Sequence, residues 1–292
     1  MQNNSGGRDD IPQAQGQLDA QFSILAGPSI GSPKEAEAQF NLAKAHMEHC
    51  HYDESLAPLD RAIGLAPGEA LFYLMKADAL AFLGRNHEAA ATADYALALS
   101  RSSRAELQLP ALLVKGHAER ATGRLGDALA VYDQALSLSP GNASTLVSRG
   151  AVLHDMGRLQ EALADFDHAI ARNPQDPMAW YDRGNALKDL NRGDEALDSY
   201  RRATSISPGF SLAWNNAATL LYQQGRYADA LDYAEHATSS NPRLHNSWYV
   251  KGRSLLAMQR REEAQTAFDQ AVSLDHGYLQ SVQILLGSSA GI

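Results

Sequence analysis

A chain of 292 residues, 45% apolar and 20% charged, has the length and composition to bury a core, which excludes a wholly disordered protein and a small stapled fold. Its single cysteine excludes an internal disulfide framework, and a formal charge of -9 without a basic run argues against nucleic acid or an anionic membrane as partner. No apolar run of about 18 residues occurs, and the amino terminus MQNNSGGRDDIPQAQGQLDAQ lacks basic and apolar leader regions, so neither a membrane span nor a secretory signal is expected and the cytoplasm is the expected compartment.

Residues 1 to 33 are rich in Gln, Asn, Gly and Ser and are expected to form a disordered tail, interrupted by one apolar island, FSILAGPSI at 22–30. Beyond it the chain repeats itself. Pro140, Pro174, Pro208 and Pro242 are spaced by 34, and placing them at position 32 of a unit aligns seven units. These are 36–69, 70–103, 109–142, 143–176, 177–210, 211–244 and 245–278, with five extra residues between the second and third. Position 27 is alanine in every unit: Ala62, Ala96, Ala135, Ala169, Ala203, Ala237 and Ala271. Positions 8 and 20 are also small throughout, so they are places where helices approach closely. Large residues fill complementary sites, among them Trp180, Trp214 and Trp248 at position 4 and Tyr132, Phe166, Tyr200 and Phe268 at position 24.

The apolar spacing predicts two helices per unit, the first around positions 4 to 11 and the second around 20 to 27. Gly84, Gly123, Gly157 and Gly225 at position 15 mark the corner between them, where a helix end needs a positive φ. An acid at position 19 in every unit, from Glu54 to Glu263, suits the positive end of the second helix. Pro58, inside the second helix of the first unit, removes a hydrogen bond to Glu54; at a cost of about 3 kcal/mol, it makes that unit the expected weak point. LQSVQILLG (279–287) is predicted to be a final helix covering the last unit, followed by a tail at 288–292.

WYDRGNALKDLNRGDEALDSYRRATSISP (180–208) carries large, Gly, Leu, Ala, aromatic, Ala and Pro in the order of the tetratricopeptide repeat, and the chain resembles that family over about 36 to 278. Departures fall mostly at the ends: Gln39 for the large residue, Cys50 and Gln259 for the corner glycine, Arg101 and His276 for the proline. The resemblance implies an all-α fold, a right-handed superhelical solenoid of antiparallel helix pairs. Its first helices would line a concave groove that binds a peptide or protein segment without catalysis, as a scaffold or adaptor.

The groove positions divide into two chemistries. Early units present Phe40, Met47, Leu71, Leu74, Phe82 and Leu113, an apolar strip broken by Lys44, Asp78 and His117. Such a strip calls for a cover, from the FSILAGPSI island, an amphipathic partner helix or a second copy. Late units present Tyr181, Asn185, Lys188, Asn215, Asn216, Thr219, Tyr222, Tyr249 and Arg253. These are amides suited to a peptide backbone and tyrosines suited to its side chains. Tyr181, Asn246 and Val250 stand where a carboxylate clamp has cations, and Asn recurs at position 6 only as Asn41 and Asn216. Neither the clamp nor an asparagine ladder is therefore expected.

AHMEHCHYDE (45–54) holds three histidines and the lone cysteine. In the repeat frame His46 takes a site that is leucine in five other units, and Cys50 takes the corner glycine site. His46 is therefore expected in the core, and no metal ligand set or other cofactor is expected. Only adventitious metal at His49, Cys50 and His51 is left open. No GxSxG, P-loop or HExxH motif occurs, so catalysis is not expected. The readings carried forward are a peptide-binding scaffold and, as alternatives, an assembly or regulatory part of an enzyme system such as a glycosyltransferase-associated repeat protein, or a metal-binding protein acting through its first unit. Self-association through the end units is a further expectation.

Overall fold

The computed structural model describes residues 32–288, so the apolar island 22–30, nearly all of the expected tail at 1–33 and the last residues of 288–292 lie outside the described residues. Among the described residues there are α-helices and two short 3-10 turns, and no strand. Among the described residues no helix is long and apolar enough to cross a membrane. The chain divides into two compact units, one up to Pro140 and one from Gly141.

The first unit contains α1 (Pro33–Glu48), α2 (Tyr52–Leu65), α3 (Ala70–Phe82), α4 (Asn86–Ser103), α5 (Gln108–Ala121) and α6 (Leu125–Leu138). They pack as α1 on α2, α3 on α4 and α5 on α6, and each pair packs on the next. Proline is absent at position 32 of the second repeat, where Arg101 stands. Without that stop α4 runs on to Ser103, and a 3-10 turn, Ala105–Leu107, absorbs the rest of the insertion before α5.

The second unit contains α7 (Ala143–Asp155), α8 (Leu159–Arg172), α9 (Pro177–Asp189), α10 (Gly193–Ile206), α11 (Ser211–Gln223), α12 (Tyr227–Ser240), α13 (His245–Ala257), α14 (Arg261–Leu274) and α15 (Leu279–Ser288). Pairing is again sequential, α7 on α8 through α13 on α14. Asn142 caps α7 by accepting from the Thr145 N–H, and Asp176 caps α9 by accepting from Met178, with Pro177 at the first helical position. Val282 of α15 is buried and packs with Leu255 and Phe268, while Arg261 donates to the Leu286 carbonyl at 2.6 Å.

Every corner has a residue at positive φ: Gly84, Gly123, Gly157 and Gly225 at 73 to 78°, and Cys50, Asn191 and Gln259 at 60, 60 and 62°. The bonds Gly84 N–H to Ala81 O and Arg85 N–H to Leu80 O, at 3.0 and 2.9 Å, recur at each corner and satisfy the last carbonyls of the first helix. The position-27 alanines are at most 1% exposed, which leaves no room for a longer side chain. Four position-8 glycines, Gly116, Gly150, Gly184 and Gly252, lie against the rings of Tyr132, Phe166, Tyr200 and Phe268, so that an added Cβ would meet ring carbon at 2.5 to 2.7 Å. At the start of α9, α11 and α13, Trp180, Trp214 and Trp248 donate their indole N–H to the carbonyls of Pro174, Pro208 and Pro242 in the preceding loop at 2.8 to 2.9 Å.

Candidate functional site

In the second unit the first helices α9, α11 and α13 join their polar side chains into one continuous chain of bonds. The Tyr200 hydroxyl donates to Asn185 Oδ1 at 2.9 Å, and Asn216 Nδ2 donates to the same oxygen at 3.0 Å and to the Tyr181 hydroxyl at 3.3 Å. Burial pushes the Tyr200 phenol well above its usual range, so it stays a protonated donor and fixes Asn185 as the acceptor. Asn216 Oδ1 accepts from Asn215, whose own oxygen accepts from Asn246 at 3.3 Å and Ser247 at 3.0 Å. Tyr278 closes the chain on Asn246 at 3.3 Å. Asn185 keeps its amide N–H groups unengaged by any described residue.

Tyr222, Tyr249 and Arg253 form the adjoining cluster. The Arg253 guanidinium lies 4.2 Å from the ring centre of Tyr222 and 5.7 Å from that of Tyr249, within cation–π range. Its Nε is buried and has no hydrogen-bond partner among the described residues, nor does any described carboxylate pair with it. That differs sharply from the corner arginines, which are all paired. Tyr249 also packs on Tyr278 with ring centres 4.6 Å apart.

Three expected groove residues stand apart from this surface. Asn215 is 4% exposed, because its side chain turns between α11 and α13 to satisfy Asn246 and Ser247; it braces the face and is closed to a ligand. Thr219 bonds back to the Asn215 carbonyl at 2.9 Å, and Lys188 lies by Asp189 at 3.5 Å, outside the amide chain.

The apolar residues of the first unit separate. Phe40 and Leu71 line a cleft of about 380 Å³ beside Phe72, with the Phe40 and Phe72 rings 4.9 Å apart. Leu74, expected on the open strip, is instead buried at 6% in the core with Phe72 and Ala77, since α3 turns that side inward. Phe82, 67% exposed, stacks on Tyr52 at 4.4 Å, while Met47 and Leu113 are half-buried. Asp78 is half-buried on the same helix, and desolvation pushes its carboxyl up to about 6.

At the corners the structure shows a device absent from the reading of the sequence. Position 16 is arginine in six units, and Arg85, Arg158, Arg192 and Arg260 each grip the position-19 glutamate with Nε and Nη2 at 2.6 to 2.8 Å. Arg226 holds Asp229 likewise, and Arg124 turns to the buried Glu119. These forks hold the Glu88, Glu161, Glu195 and Glu263 carboxyls below their usual range. The signal was present as an Arg three residues before each acid. Only the first corner lacks it, having His51 there. His46 is 27% exposed at its side chain and leans toward Glu54, so the expected core placement is corrected: the imidazole seeks a polar partner at the corner that leucine cannot use.

No curated protein matches the chain. Among solved structures, a tetratricopeptide repeat protein from Parabacteroides merdae aligns at 18% identity and TM-score 0.64 over 87% of this chain and 98% of that one. The Cut9-Hcn1 hetero-tetramer of APC/C aligns at 16% identity and TM-score 0.65, over 82% of this chain and 46% of that one. MamA aligns at 21% identity and TM-score 0.51, over 56% and 96%. At these identities the likeness establishes the fold. Family profiles described as tetratricopeptide repeat match residues 149–210, 211–244 and 245–276, and one described as TPR repeat matches 116–157. These matches run on from one another over more than half of the sequence, on helices that pair and turn as that motif requires, and the chain belongs to the tetratricopeptide repeat family.

Proposed function

We propose that this protein is a non-catalytic scaffold that holds an extended segment of a partner protein against α9, α11 and α13. The observation that carries the reading is Arg253: a half-buried cation, stacked between Tyr222 and Tyr249, with a buried Nε and no carboxylate paired to it among the described residues. An anionic group on the partner supplies the missing pair, and desolvated guanidinium–carboxylate contacts are the strong ones. The free amide of Asn185 then takes a backbone carbonyl, and Tyr181 flanks a side chain. Braced by Asn215 and Ser247, the face is organised before the partner arrives, which limits the entropy lost on binding. The array is proposed as seven 34-residue hairpins from 36 to 278, closed by the helix at 279–287.

Affinity capture with the full chain, set against an Arg253→Ala variant and a Tyr181→Ala, Asn216→Ala, Tyr249→Ala triple variant, tests this. A partner captured by the parent and lost from both variants, at unchanged helical content, supports the face. Equal capture by all three moves the binding site elsewhere.

A further inference from the structure

The first corner is built differently from the other six. Where five corners carry an arginine fork on the position-19 acid, the first presents two imidazoles to it: His46 Nδ1 stands 3.2 Å and His51 Nδ1 3.7 Å from the same oxygen of Glu54. All three donor atoms lie within 4.8 Å of one another. Ligands at about 2.0–2.1 Å around a tetrahedral zinc stand about 3.3 Å apart, so these separations are near those of a bound ion without rearrangement of the backbone. The donors come from the last turn of α1, the residue before α2 and its first turn, which the positive-φ corner at Cys50 brings face to face.

We infer that His46, His51 and Glu54 form a binding site for a divalent ion of the borderline class, Zn²⁺, Ni²⁺ or Cu²⁺. Two imidazoles and one carboxylate favour that class; oxygen-only cages suit Mg²⁺ and Ca²⁺, and thiolate sets suit Cu(I). The remaining coordination positions open to water, since His51 and Glu54 are both more than half exposed. His49 stands outside the set: its Nδ1 bonds the Ala45 carbonyl at 2.8 Å, and neither ring nitrogen is among the donor atoms that lie within 4.8 Å of one another. Cys50 stands outside it as well, since its thiol is not among the donor atoms that lie within 4.8 Å of one another. Of the three histidines and the cysteine in AHMEHCHYDE, His46 and His51 are thus the ligands, and the acid supplied by the repeat itself completes the site.

The test uses the full chain, calorimetric titration with Zn²⁺ and, separately, Ni²⁺, and thermal melts with and without the ion. One equivalent is expected to bind and raise the melting temperature. His51→Arg installs the fork that the other corners carry, removing one ligand and occupying the carboxylate while leaving the corner folded. Binding weakened at least tenfold in His51→Arg and in Glu54→Gln, with His49→Ala and Cys50→Ser unchanged, supports the assignment. Absence of stoichiometric binding, equal affinity in His51→Arg, or a loss confined to His49→Ala or Cys50→Ser would overturn it.

Discussion

Gly184 lies directly against the ring of Tyr200: a Cβ built on the glycine would stand 2.5 Å from Cε1 and 2.7 Å from Cδ1. The ring has nowhere to withdraw, being fully buried and tied by its hydroxyl to Asn185. Where the frame has alanine in place of this glycine, at Ala43, Ala77 and Ala218, the opposing position holds the smaller Leu59, Ala93 and Ala234. Small and large are thus matched pair by pair.

Gly184→Ala is therefore expected to destabilise the second unit by about 1–3 kcal/mol, as overpacking does, despite the higher helix propensity of alanine. Adding Tyr200→Leu should recover part of that loss, giving a favourable coupling in a double-mutant cycle. Chemical denaturation of the four proteins measures it. Simple additivity of the two substitutions would contradict the matched-pair reading.

Asp78 sets a pH dependence of unusual sign for an aspartate. Its carboxyl is pushed up to about 6 from an ordinary 3.8, so between those values the folded chain binds more protons than the unfolded one. Stability from this group is present below the unfolded value and declines as pH rises through the folded one. The ceiling is about 3 kcal/mol from the size of the shift, and partial exposure lowers the expected effect to about 1–2 kcal/mol. Asp78→Asn should raise the melting temperature at pH 7.5 and leave it nearly unchanged at pH 4 (values on the order of the titration limits).

The three corners without glycine carry a measurable cost. Gln259→Gly relieves a side chain held at φ 62° and is expected to stabilise the fold by about 0.5–1 kcal/mol. Asn191→Gly, at φ 60°, should gain less, since asparagine tolerates this region. Thermal melts rank the two, and the reverse order would show that side-chain contacts, not φ, decide these sites.

Arg149 and Asp165 join α7 to α8 through two parallel bonds of 2.7 Å, with Asp165 only 4% exposed. Removing the acid takes both of these bonds from a partly buried guanidinium. Asp165→Ala should therefore cost about 3 kcal/mol, and Asp165→Asn less. Urea denaturation checks both, and a cost under about 0.5 kcal/mol, the level of a surface pair, would show that solvent reaches the fork.

Much of the molecule was legible from periodicity. The 34-residue spacing of Pro140 through Pro242, the alanines at position 27 and the glycines at position 15 specify helix, corner and helix, because each is a local requirement of volume or φ. The Arg before each corner acid was equally visible, but its meaning rests on a bond that no periodic count of apolar residues contains. Leu74 and Asn215 were misplaced for another reason. A groove position defined by helix phase tolerates a turn of some tens of degrees, and that is enough to carry a side chain from the open face into the contact with the next helix.

By itself, then, the sequence determined that this is an all-α array of paired helices and that its late first helices are rich in amides and tyrosines. Only the tertiary structure decided which of those groups satisfy one another and which face outward. Asn215 closes on Ser247 from 32 residues away, Asn216 reaches Asn185 from 31, Arg253 has two tyrosines and no acid beside it among the described residues, and His46 leaves the leucine site for Glu54. The reason is physical: backbone conformation follows from spacing within a single turn, whereas a polar side chain takes its partner from whatever the neighbouring repeat brings within hydrogen-bond reach, and no spacing rule in one repeat encodes that.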